Sequence, residues 1–128
     1  ADWIEDSKAT NSASALASVG AVAGPVVLLA GGRGKGEDLA AFAQALPRHV
    51  TACVVYGENR EGLADRLRDA GLSCTVTETL NEAVAIAATL AGPGDTVLLA
   101  PAAASQDQFT DYRARGRAFA AAVEGLDA

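Results

Sequence analysis

Val26-Val27-Leu28-Leu29-Ala30 runs without a polar residue into Gly31-Gly32-Arg33-Gly34-Lys35-Gly36. Five consecutive apolar residues predict a strand buried on both faces, as parallel sheets require. The glycines end the strand in a loop. Residues 37–46 then place Leu39, Phe42, Ala43 and Leu46 on one helical face. The same order recurs to either side. Residues 3–6 predict a short strand and 12–22 an Ala-rich helix opened by Asn11 or Ser12. Downstream, strands are expected at 50–56, 74–77 and 96–100 and helices at 60–70 and 81–91, with Gly71 closing one helix and Gly92-Pro93-Gly94-Asp95 forming a turn. A last helix is expected from about 107 to 126, its stripe being Phe109, Tyr112, Phe119, Val123 and Leu126. About five strand–helix units at crossover spacing predict an α/β Rossmann-like three-layer sandwich with a mostly parallel sheet.

Bulk composition narrows the function classes. A length of 128 residues, half of them hydrophobic, predicts one globular domain over 1–128 with a sizeable core. The net charge of -6 offers no basic footprint for nucleic acid. A pocket can still be locally positive and take an anion. No apolar stretch has the length of a membrane span, and the N-terminal ADWIEDSK has no signal-peptide pattern. Cys53 and Cys74, both in apolar strand-like runs, read as small buried hydrophobes in a reducing compartment. With His49 the only histidine, no metal site is expected.

In open parallel sheets ligands bind at the carboxyl ends of the strands, and three loops fall there. Asp6-Ser7-Lys8-Ala9-Thr10-Asn11 packs a carboxylate, an amine, two hydroxyls and an amide just before a helix. It reads either as a polar capping segment or as a loop that holds a polar ligand with helix N-terminal amides. Gly31–Gly36 lets backbone approach a ligand, with Lys35 as a point charge, or is simply a flexible turn. It lacks the spacer and the Ser/Thr of a Walker A loop, and Glu37 breaks the dinucleotide pattern. In Pro101-Ala102-Ala103-Ala104-Ser105-Gln106-Asp107-Gln108-Phe109, Ser105 and Gln108 have capping-box spacing, and the alanines leave room for a ligand. Asp6 and Asp107 are the candidate carboxylates at this edge, and neither has a predicted His or Cys partner.

DSKATN at 6–11 resembles the opening of the third domain of Mur ligases, in the branch that adds D-glutamate to UDP-N-acetylmuramoyl-L-alanine. Gly31-Gly32 with Lys35 is similar to that family's next loop, and Pro101 to Ser105 with Asp107 and Phe109 to its SPAxAS-x-D-x-F segment. The ordered match spans nearly the whole chain. The resemblance implies that Thr10, Lys35 and Ser105 hold the carboxylates of D-glutamate, with Gln106 and Tyr112 near the same ligand. It implies that Asp6 and Lys8 lie toward ATP. The family reaction uses ATP and Mg, passes through an acyl phosphate, and implies a cytoplasmic enzyme of peptidoglycan synthesis.

Ala100 stands where the family has its first Ser, and Arg33 and Gly36 add charge and looseness to the second loop. The resemblance therefore leaves amino-acid specificity open. N-terminal and central ligase domains are the partners it implies. Without them the 128 residues are expected to be inactive. The alternative is a stand-alone, non-catalytic module that binds an amino acid or a nucleotide on the same fold.

Overall fold

The computed structural model describes residues 1–6, 8–32, 39–102 and 111–126. Its strands are β1 (Asp2–Glu5), β2 (Val26–Gly31), β3 (Val50–Tyr56), β4 (Cys74–Val76) and β5 (Thr96–Leu99). Its helices are α1 (Ser12–Ala21), α2 (Leu39–Ala45), α3 (Arg60–Asp69), α4 (Leu80–Leu90) and α5 (Tyr112–Gly125). The strands form one sheet in the order β1-β5-β2-β3-β4. Every pairing is parallel. The expected α/β sandwich is therefore present, with its sheet wholly parallel.

Burial explains the strand compositions. All six residues of β2 and all four of β5 are buried, as unbroken apolar runs demand. β1 and β4, at the edges, are less covered. One face of the sheet packs Ala15 and Val19 of α1, Phe42 and Ala43 of α2, and Leu63, Ala64 and Leu67 of α3 into one core. The other face packs Leu80, Ala83, Val84 and Ala87 of α4 and Phe119 of α5 into a second. Trp3 of β1 lies over Phe119, ring centroids 6.1 Å apart.

Local signals set the helix ends. Asn11 accepts from Ser14 N at 2.9 Å and caps α1, one of the two caps expected. Thr79 and Glu82 form a reciprocal capping box at α4. The expected long last helix is corrected. Asp111 is extended, and its side chain accepts from Ala114 N at 2.8 Å, so α5 starts at Tyr112. An aspartate three residues ahead of that amide is a strong N-cap and overrides the apolar periodicity upstream. Leu126, expected on the stripe, is 40% exposed at the helix end.

Cys53 lies deep in the first core, and burial, with Cys74 as a lesser cause, pushes its thiol from 9.0 up to about 12. The folded state thus holds this proton more tightly than the unfolded chain. The stabilisation is complete below pH 9 and is lost as pH rises toward 12. Relative to Cys53→Ala, the wild-type chain is expected to lose on the order of 4 kcal/mol across that window. Urea unfolding of both chains at stepped pH checks this, and parallel pH curves would refute it.

Candidate functional site

The strand order places the ends of β1, β5 and β2 side by side. Their following helices leave for opposite faces: α1 and α2 to one, α5 to the other. A crevice opens at such a switch of direction, beyond the carboxyl ends of the strands. Backbone hydrogen bonds tie the three loops together there. Asp6 N donates to Leu99 O at 2.8 Å, Ala102 N to Ala9 O at 2.8 Å, and Gly31 N to Pro101 O at 2.9 Å. Ala102 holds a left-handed φ of 61°, which costs a residue with a Cβ about 1 kcal/mol or more. The loops are thus one knitted surface in which each backbone restrains the next.

A cleft of about 630 Å³ opens between α5 and the first of these loops, at the end of β1. Glu5, Asp6, Lys8, Tyr112, Arg113 and Arg117 supply its polar lining. Its volume suits a small ligand. The Asp6 carboxylate is oriented by a hydrogen bond donated by Ser18 Oγ of α1. Arg113 and Arg117 stand one helical turn apart on α5, so both charges reach the same side. The Arg113 guanidinium lies 5.2 Å from the centroid of the Tyr112 ring. Three cations against two carboxylates make the cleft locally positive in a chain of net charge -6.

Of the residues expected at the site, Asp6, Lys8 and Tyr112 meet in the cleft. Thr10 is half-buried one step further along the loop, its N–H donating to Lys8 O at 2.7 Å, and it is not part of the cleft lining. Lys35, Ser105, Gln106 and Asp107 lie outside the described residues, as does the reading of Ser105 as a cap. Gly31, Gly32, Pro101 and Ala102, which lead into those two loops, are at the crevice.

Arg115 is a residue that the sequence pattern did not single out. It is fully buried, and one guanidinium N–H faces Gly31 O at 3.5 Å, where β2 passes into the glycine loop. A signal for it exists in the sequence. The stripe Tyr112, Phe119, Val123 skips one turn between its first two members, and Arg115 fills that position. Glu5, Arg113 and Arg117 were also missed, because charged residues on a helix or at a strand end read as solvated.

Residues 1–103 match the family described as "Mur ligase, glutamate ligase domain". The chain belongs to the Mur ligase family. Proteins named UDP-N-acetylmuramoylalanine-D-glutamate ligase are similar to it over nearly its whole length. That of Bordetella parapertussis is 42% identical over 125 residues, covering 98% of this chain and 25% of the relative. That of Chlorobium luteolum is 45% identical over 127 residues, covering 99% of this chain and 27% of the relative. That of Pseudomonas putida is 45% identical over 129 residues, covering 98% of this chain and 28% of the relative. This Mur ligase domain thus spans about a quarter of the length of these relatives. Among solved structures, the UDP-N-acetylmuramate-alanine ligase of Thermotoga maritima shares the fold, with a TM-score of 0.56 and 16% identity. The overlap covers 91% of this chain and 25% of that one.

Proposed function

We propose that this Mur ligase domain is the amino-acid-binding part of a cytoplasmic ligase that adds D-glutamate to UDP-N-acetylmuramoyl-L-alanine. The observation that carries the reading is the knitted crevice. Three motifs from separate parts of the sequence converge on adjacent strand ends and share backbone hydrogen bonds. The relatives' shared activity supports the choice of amino acid.

In this reading Thr10, Lys35 and Ser105 bind the two carboxylates of D-glutamate, with Gln106 and Tyr112 beside it. Lys35 offsets charge while the hydroxyls give direction. Asp6 and Lys8 face the nucleotide. The cleft chemistry fits that role, since a carboxylate accepts from ribose hydroxyls and the cations receive phosphates. When bound with Mg, ATP supplies the phosphoryl group that activates the acyl carboxylate. The domain's own residues orient the incoming amine, and their contribution is proximity. Closure of this domain on the remainder of the ligase brings amine and acyl group into line. Residues 1–128 alone, which hold no Walker A loop, form no acyl phosphate in this account.

An amide chemical-shift titration tests the binding role directly. D-glutamate is expected to give saturable shifts at Thr10, Lys35 and Ser105, with L-glutamate giving none there. Equal shifts with both enantiomers, or none from a folded chain, would remove the assignment. ATP in a separate titration is expected to move Asp6 and Lys8 instead.

A further inference from the structure

Cys53 and Cys74 are far apart in sequence and adjacent in space. They are register partners on the parallel neighbours β3 and β4. The Cys53 N–H donates to Ser73 O at 2.8 Å, which fixes that register. Adjacent strands lie about 4.8 Å apart, inside the roughly 4.4–6.8 Å Cα separation that a disulfide spans. Register partners in a parallel pair project to the same side of the sheet. Both cysteines pack into the same core, Cys53 buried and Cys74 partly so. β4 is a three-residue edge strand with one neighbour, so it can shift by the small amount that bond formation needs.

We infer that Cys53 and Cys74 are an oxidisable dithiol, a modification site that hydrogen peroxide closes into an intramolecular disulfide across β3 and β4. The two thiols differ in access, and this sets the order of events. Cys74 is half-buried, and the Arg68 guanidinium donates to its carbonyl at 2.9 Å. That cation partly offsets the burial that raises the Cys74 thiol, whereas Cys53 has no such offset. Cys74 therefore reacts first. Its thiolate attacks one peroxide oxygen and is oxidised to the sulfenic acid, the other oxygen leaving as water once protonated. The Cys53 sulfur then attacks the Cys74 sulfur. The S–S bond forms, the S–OH bond breaks, and the hydroxyl leaves as a second water with the Cys53 proton. Buried thiols react slowly, so the bond closes under sustained oxidant rather than in rapid turnover. β3 and β4 carry none of the residues that the amino-acid reading assigns to the ligand, so the two readings rest on different side chains.

The test uses the reduced, folded chain and hydrogen peroxide. Intact mass is expected to fall by two hydrogens, and a non-reducing tryptic digest to yield peptide 49–60 linked to peptide 69–113. In Cys53→Ala, dimedone is expected to trap a sulfenic acid at Cys74. In Cys74→Ser, Cys53 is expected to react at least tenfold more slowly than the wild-type pair. Three results would each overturn the proposal. They are chain-to-chain dimers, thiols that stay free under conditions that oxidise the urea-unfolded chain, and an undiminished rate in Cys74→Ser. A D-glutamate titration of the oxidised chain keeps the two readings apart, because loss of either leaves the other standing.

Discussion

Replacing Gly31 with alanine is expected to lower the unfolding free energy by about 3–5 kcal/mol. Gly31 is the last residue of β2, at a φ of +141° that residues with a Cβ rarely adopt. A methyl group there would come within 1.9 Å of Tyr56 O and 2.9 Å of Tyr56 C. Those atoms are backbone, and Tyr56 is the register partner of Gly31 on β3. No rotamer change can relieve the clash, so two buried strands must separate where the glycine loop begins. Gly20, inside α1 with nothing within 4 Å of the place a methyl group would take, is the control. Gly20→Ala is expected to stabilise by about 0.5–1 kcal/mol through helix propensity. Urea unfolding of the two variants measures both. Similar midpoints for the two would refute the close-approach argument.

Arg115→Met is expected to cost about 2–4 kcal/mol and to weaken D-glutamate binding as well. The guanidinium is fully buried and faces Gly31 O, at the root of the loop that carries Lys35. Methionine fills similar volume but donates nothing, so the acceptors around Arg115 lose their donor in a place water does not reach. Arg115→Lys is expected to rescue little, because one ammonium cannot reproduce a planar fork of donors. Two measurements follow: the urea midpoint and the D-glutamate concentration that half-saturates the Thr10 shift. A variant as stable as wild type would mean that Arg115 is tolerated rather than required. A loss of stability without a change in binding would confine its role to packing.

These two residues also show what the sequence conveyed. The buried strands were legible because VVLLA and TVLLA admit no amphipathic reading. The crevice loops were legible because DSKATN and the glycine run interrupt apolar segments with chemistry. The order β1-β5-β2-β3-β4 was not, since strand order depends on contacts between distant segments that leave no local periodicity. Arg115 was hidden for a related reason. A charge on an apolar stripe reads as a gap until the facing carbonyl of β2 is known. The start of α5 was misplaced because apolar spacing in the sequence continues upstream of it, while the cap on that helix is Asp111. Cys53 and Cys74 looked like two isolated apolar residues, and only the β3–β4 register makes them neighbours.

The contact between Trp3 and Phe119 gives the domain a built-in optical reporter. Trp3 is the chain's single tryptophan, so its fluorescence has one origin. It sits on β1, three residues before Asp6, and rests on the same helix that carries Tyr112 and Arg115. Any shift of α5 relative to β1 changes the packing of that indole and so its emission. The docking of α5 on β1 and loss of the fold can therefore be followed in an unlabelled sample through one wavelength scan.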